Sequence, residues 1–244
     1  MNRQWVVARA SESEGMCLEP EVFGQWELPI PKVGKGQILI QNQLLVCEPL
    51  VHAMVKGVPG RIEPLAVGSV FRGHAGGVVV QSLHPDFKEG DEVHGMLDWA
   101  DFVLSDGFDG NGLPLSRCSP QFNLSTNMIT LGMTGLCAFI GLFEIGRPLP
   151  GDAVAVSAAA GGVGSIAIQL AKIAGCKTIG IAGGPRKTAL LREKLGVEIA
   201  LDYKNTDLAS DLGSASPKGI NVFFDNVGGD VLDAVLINLA KFGR

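Results

Sequence analysis

The chain has 244 residues, 46% of them hydrophobic, and a formal net charge of −5, enough apolar material for one large domain or two modest ones. It carries no basic stripe, which argues against nucleic acid as a partner. Gly, Ser or charge is expected to break each apolar run before the roughly 18 residues that a membrane span requires, which argues against a membrane. The opening MNRQWVVARASESEG has no signal-peptide hydrophobic stretch, and Cys17, Cys47, Cys118, Cys137 and Cys176 are scattered without a Cys-x-x-Cys pair, which suits a reduced, cytoplasmic protein.

Up to residue 126, short β-type runs alternate with turn signals. They are QWVVARA, GQILIQNQLLVC, GGVVVQSL, DEVHGML and ADFVLS, parted by clusters such as HPDFKEGD, and they predict a mainly β domain over 1–126. From 127 onward strands and helices alternate. DAVAVSAA leads to a helix from Val163, KTIGIAGG to a helix RKTALLREKLG, and IALDY is followed by GINVFFDNVGG and a helix DVLDAVLINLAKF. This βαβαβ order predicts a doubly wound parallel sheet with right-handed crossovers over 127–244, and an α/β protein as a whole.

At the first strand-to-helix turn, Ala158, Gly161 and Gly164 form A-x-x-G-x-x-G. Missing side chains let such a backbone turn tightly and approach a pyrophosphate, while the helix N-terminus offers free N–H groups and a positive dipole end. Close packing of helix on strand also selects glycine, but the position of the motif within a βαβ unit favours a dinucleotide. NAD-binding sheets usually place Asp or Glu at the end of the second strand to bond the ribose 2′-hydroxyl. This chain has IAGGPRKT there, with Gly183 and Gly184 leaving space and Arg186 and Lys187 able to meet a 2′-phosphate. The alternative is a pair of solvated charges, although a helix N-terminus is a poor place for cations. NADPH is therefore the expected cofactor.

These residues, with the strings HPDFKEGDEVHG, LGMTGLCAFIGLFEIG, LGVEIALDYKN and GINVFFDNVGGDVLDAVL, resemble the zinc-independent medium-chain dehydrogenases/reductases, in the branch of the prostaglandin, alkenal and plant double-bond reductases. The resemblance implies an N-terminal GroES-like β domain that carries much of the substrate cleft and a Rossmann domain that binds NADPH. It implies that Met133, Thr134 and Gly135 line the nicotinamide side and that Ala160, Gly161, Gly162, Val163 and Gly164 form the pyrophosphate turn. Gly183, Arg186, Lys187 and Tyr203 would then surround the adenosine phosphate, with Asn226 beside the cofactor. Read from the residues alone, Tyr203 also suits a half-buried aromatic at a strand end and Asn226 a turn.

Cys47 and His74 invite comparison with zinc-dependent relatives, as GHAGG does with their GHE segment. The match fails at Ala75, and a lone Cys and a lone His are more often packed or surface residues than ligands, so no metal is expected. VCEPLVHAMVKG resembles the branch's DPYMR stretch but departs from it at Glu48, Leu50 and His52. His94, alone in GDEVHG, is expected to be a loop or packing residue.

The reaction implied is hydride delivery from NADPH to the β-carbon of a small apolar α,β-unsaturated carbonyl, with protonation of the enolate that results. A non-catalytic NADPH-binding accessory protein and a quinone oxidoreductase are the alternatives. The resemblance also implies that roughly a quarter of the family chain, with the fifth and sixth strands of the sheet, lies outside this sequence. An exposed sheet edge, weak turnover and self-association, as a dimer, are the expected results. In the branch a tyrosine from that quarter is implicated near the substrate carbonyl, whereas this chain's one tyrosine is Tyr203.

Overall fold

The computed structural model describes residues 1–13 and 17–244, which fall into two units, Met1–Met128 and Ile129–Arg244. The first is mainly β. Strand β1 (Asn2–Val7) pairs antiparallel with β2 (Phe23–Leu28). After them come β3 (Ile38–Leu45), helix α1 (Pro49–Lys56), β4 (Arg72–Ser82), β5 (Glu92–Asp98), β6 (Phe102–Ser105) and the short β7 (Ser116–Arg117). The last five strands form one antiparallel sheet in the order β6-β3-β4-β5-β7. Alternate residues such as Ile38, Ile40, Val79, Val93 and Leu97 bury one of its faces, as a half-solvated antiparallel sheet requires. A second core gathers Val7, Val51, Val55, Phe71 and Trp99, with Phe71 stacked on Phe23 at 4.9 Å. Strand β2 and helix α1 go beyond the sequence expectation. Helix α1 begins with Pro49 in its first turn, where the missing N–H costs nothing, and stops at Gly57 with φ 74°.

A helical run over Thr126–Gly146 leads into the second unit. Its middle is α2 (Met133–Phe139), flanked by wider π-type turns. This run corrects one expectation: it spans 21 residues, and an 18-residue window of it has a mean hydropathy of 1.8, long and apolar enough to cross a membrane by length and composition. Its glycines do not break it because they serve contacts. A Cβ on Gly135 would lie 1.8 Å from the Thr130 carbonyl oxygen, and one on Gly141 would lie 2.6 Å from the Phe224 ring.

The rest of the unit alternates as expected, with β8 (Ala153–Val156), α3 (Gly162–Ile173), β9 (Lys177–Ala182), α4 (Pro185–Ala189), β10 (Ile199–Asp202), α5 (Leu208–Ala215), β11 (Val222–Phe224) and α6 (Gly229–Ile237). The expected helix over 186–196 is divided, with α4 passing into a π-type turn over Leu190–Lys194. The sheet is parallel in the order β10-β9-β8-β11, which reproduces the first four positions of the dinucleotide-binding order 3-2-1-4-5-6. Val154 and Val156 pack toward Ala167, Ile168 and Ala171 of α3, while Ala153 and Ala155 pack toward Leu212 of α5 and Val235 of α6. Beside β11, the Arg244 N–H donates to the Asn221 carbonyl, and the Arg244 carbonyl accepts from the Phe223 N–H.

Candidate functional site

The carboxyl ends of β8, β9 and β11 meet at the point where the strand order reverses, the place where open α/β sheets bind ligands. Strand β8 is wholly buried and is followed by the buried Ser157. Ala158 then takes a left-handed conformation, φ 45°, and its carbonyl accepts from the Gly161 N–H at 2.8 Å. Gly161 caps α3, which starts at Gly162. A Cβ on Gly164 would stand 2.4 Å from the Ala158 oxygen, so this glycine is required by the turn itself. Gly161 and Gly162 are exposed, and the first amides of a helix have no partner within it.

At the end of β9 the chain passes through Gly183 and then Gly184, φ 88°, into Pro185 in the first turn of α4. The Gly184 N–H donates to Asp202 Oδ1 at 2.7 Å, and the Lys204 N–H and Asn205 Nδ2 donate to the same carboxylate. These bonds, led by that from Gly184, hold the Asp202 carboxyl below its ordinary range. Tyr203 follows directly and lies over Gly183, where a Cβ would come within 2.9 Å of its ring. Arg186 and Lys187 are exposed. Among the described residues neither makes an ion pair.

Strand β11 ends on a network that ties it to β8. Ser157 Oγ donates to Asp225 Oδ1 at 2.8 Å and accepts from the Asn226 N–H at 2.7 Å, while Asn226 Nδ2 donates to the Ser157 carbonyl at 2.8 Å. Burial pushes the Asp225 carboxyl up, but the N–H groups of Val227 and Gly228 and the Ser157 hydroxyl outweigh it and leave it below its usual range.

One pocket at this point is lined by Ala160, Gly161, Gly183, Lys187 and Tyr203, together with Ser157 and Val227 among others. Arg186 lies in an adjoining depression with Ala160, Lys187, Glu193 and Lys194. Met133, Gly135 and Asn226 do not line that pocket. Met133 is half exposed, Gly135 is buried against Thr130, and Asn226 is engaged with Ser157. Thr134 reaches the start of α3, its Cγ2 3.4 Å from where a Cβ on Gly162 would stand, and Val163 occupies the first turn of that helix. The space left over Gly161 and Gly183 has Lys187 in its lining and Arg186 in the adjoining depression. Sequence reasoning missed Ser157, Asp202 and Asp225. The signals were a serine closing an apolar strand and an aspartate closing each of two others.

In the first unit, Cys47 is exposed and His74 Nδ1 lies 2.9 Å and 3.0 Å from the two Glu48 oxygens. Among the described residues no three His, Cys, Asp or Glu side chains gather as a metal would need. His94 lies on β5 rather than in a loop, and burial lowers its pKa.

A family profile described as the N-terminal domain of oxidoreductase matches residues 3–112, and one described as zinc-binding dehydrogenase matches residues 162–244. The chain is 37% identical over 235 residues to an NADPH-dependent curcumin reductase of Escherichia coli (strain K12), which covers 96% of this chain and 66% of that protein. It is 35% identical over 220 residues to a 2-alkenal reductase (NADP(+)-dependent) of Nicotiana tabacum, covering 89% and 63%. Among solved structures, CurA of Vibrio vulnificus in complex with NADPH superposes with a TM-score of 0.88 at 33% identity, over 99% of this chain and 70% of that one. The chain thus spans just under two thirds of the length of the curated relatives it matches, less than the three quarters expected from the sequence.

Proposed function

Because the chain belongs to the zinc-independent branch of the medium-chain dehydrogenases/reductases, we propose that it binds NADPH and reduces the C=C bond of an α,β-unsaturated aldehyde or ketone. The observation that carries the reading is the pocket of the second unit, which combines an open glycine turn with Lys187 and Tyr203 and has Arg186 alongside. The relatives named as an NADPH-dependent curcumin reductase and an NADP(+)-dependent 2-alkenal reductase support the cofactor and the substrate class.

In this reading the pyrophosphate lies on Ala160, Gly161, Gly162, Val163 and Gly164, where the amides of α3 face it. Arg186, Lys187 and the Tyr203 hydroxyl hold the 2′-phosphate, since charge-assisted hydrogen bonds from a guanidinium fork and an ammonium suit a dianion. Gly183 leaves room for it. Met133, Thr134 and Gly135 line the nicotinamide side, with Asn226 held beside it by Ser157. When bound, NADPH supplies a hydride to the β-carbon. The protein's work is to orient a flat apolar substrate, exclude water and supply the proton.

The reading includes a cytoplasmic dimer. Exposed apolar side chains in the second unit, Ile237 at 78% and Phe242 at 85%, support self-association. Titration with NADPH and NADH, followed by NADPH oxidation in the presence of an alkenal, an enone and a quinone, tests the whole. NADPH preference with enone or alkenal turnover is expected. Turnover with the quinone alone would make it a quinone reductase, and tight binding without turnover would make it a nucleotide-binding accessory protein.

A further inference from the structure

We infer that Lys204 is a further ligand of the dinucleotide's 2′-phosphate and that Asp202 is the positioning residue that brings it there. The inference rests on the NADPH reading above and adds a specificity-determining cation to Arg186 and Lys187. Every residue it uses belongs to the second unit.

The geometry is set at the carboxyl ends of two paired strands. Asp202 closes β10 opposite Ala182, which closes β9. Its Oδ1 accepts from the Gly184 N–H at 2.7 Å and from the Lys204 N–H at 3.1 Å, and its Oδ2 accepts from Asn205 Nδ2 at 2.6 Å. The Tyr203 N–H donates to the Ala182 carbonyl at 3.3 Å, and Thr206 Oγ1 donates to the Asp202 carbonyl at 3.1 Å. One carboxylate oxygen thus ties the turn after β9 to the turn after β10.

The tie decides where two side chains lie. A Cβ on Gly183 would stand 2.9 Å from the Tyr203 ring, 3.0 Å from the Tyr203 hydroxyl and 3.0 Å from Lys204 Cε. Gly183 lines the dinucleotide pocket, so the phenol and the carbon that bears the Lys204 ammonium converge on one wall of it. Lys204 is exposed and, among the described residues, makes no ion pair. Its charge is free for an anion in the pocket, and an ammonium on a flexible stem suits a phosphate.

Charge explains why a cation belongs at this spot. The bond from Gly184 first, then those from Asn205 and Lys204, hold the Asp202 carboxyl below its ordinary range, so it is ionised at neutral pH. A carboxylate next to a phosphate dianion is repulsive. Lys204, whose charge also lowers that carboxyl, offsets the repulsion. A carboxylate at the end of the second strand serves a ribose 2′-hydroxyl. Here it closes the third strand instead, is turned to backbone N–H groups and is followed two residues later by a cation.

Calorimetric titration of the 244-residue chain with adenosine 2′,5′-bisphosphate and with 5′-AMP tests both residues without turnover. Lys204→Met should weaken the bisphosphate about fivefold or more and leave 5′-AMP within about twofold, and Lys204→Arg should restore most of the loss. In an Asp202→Ala background Lys204→Met should cost less than about twofold, because the ammonium is no longer held at the pocket. In an Asp202→Asn background, which keeps an Oδ1 acceptor, the larger loss should return. A Lys204→Met protein with wild-type affinity for the bisphosphate, or with equal losses for both nucleotides, would overturn the role of Lys204 alone if Arg186→Ala still discriminates between them. The full loss in the Asp202→Ala background would overturn Asp202 as the positioning residue. Wild-type protein that binds the two nucleotides equally would overturn the NADPH reading and this inference together. If Asp202→Ala does not fold, the wild-type resonances of Lys204 Cε and of the Gly184 and Lys204 amides decide. They should move together with the bisphosphate and not with 5′-AMP, and an unmoved set overturns the proposal.

Discussion

In the first unit Arg3 reaches Asp101 at 2.9 Å, Arg72 reaches Asp98 at 2.8 Å and His74 reaches Glu48. In the second, Arg186 and Lys187 share a depression with Glu193 but make no ion pair among the described residues, and Asp202 and Asp225 are occupied by backbone N–H groups. One unit supplies its own counter-charges. The other has its own ion pair, Arg244 with Asp152, but leaves Arg186, Lys187 and the first amides of α3 toward open space, which is what the proposed anionic ligand would meet. Side-chain pairs organise the first, and backbone geometry organises the second.

The sharpest way to break this contrast is to spoil the backbone. Gly164→Val sets a branched side chain against the Ala158 carbonyl, 2.4 Å from its first carbon, and a backbone oxygen cannot step aside as a flexible side chain would. A loss on the order of 3 kcal/mol in the second unit, with NADPH binding abolished, is expected in chemical denaturation and fluorescence titration. Wild-type stability would mean that the turn is more pliable than it appears. Next in size is the removal of the two cations. Arg186→Ala and Lys187→Ala should each weaken NADPH at least tenfold, about 1.4 kcal/mol, and leave NADH almost unchanged. Equal losses for both dinucleotides in calorimetry would return the two residues to the solvated surface.

Ser157→Ala probes the side chain that joins β8 to β11. Its hydroxyl serves Asp225 and the Asn226 N–H together, so its loss leaves two polar groups short of a partner and should cost about 1–2 kcal/mol, read as a lowered melting temperature. The smallest effect lies in the first unit. The pKa of His74 is raised, so its contribution is complete below the ordinary imidazole value of 6.5 and is lost as pH rises through the folded value. Glu48 has a lowered pKa because the His74 bonds outweigh burial, so its share is present above 4.5 and is lost as pH falls through the folded value. The pair should therefore steady the first unit most between pH 4.5 and 6.5, by less than about 1 kcal/mol at this exposure. Glu48→Gln should flatten that maximum in pH-dependent melting curves.

The same contrast governed what could be read from the sequence. In the second unit each strand is followed by its own helix, so the alternation of AVAV, the Gly turn and VGSIAIQLAK declares the architecture locally. Helix α5 was the exception, because DLASDLGSA carries only two buried leucines, Leu208 and Leu212, among residues that favour turns. In the first unit, β2 reads FGQWEL, mostly exposed, and shows its identity only by pairing with β1 some twenty residues away. The site followed suit. Gly161, Gly183 and Lys187 stood out through turn chemistry and charge, which act close to home, and Tyr203 through the resemblance, and the four line one pocket. The Ser157–Asp225 and Glu48–His74 contacts join residues 68 and 26 positions apart, and no local pattern announces such a meeting.

The Ser157 network also has a meaning in time. Strands β8, β9 and β10 emerge in order and pair with their neighbours as they appear, but β11 must return across the sheet to β8, matching Val222 to Val154. That long closure is entropically slow. The Ser157 network beside the pocket should thus be the last part to assemble and the first to open, and in hydrogen exchange the three amides of β11 should lose protection ahead of those of β8 and β9.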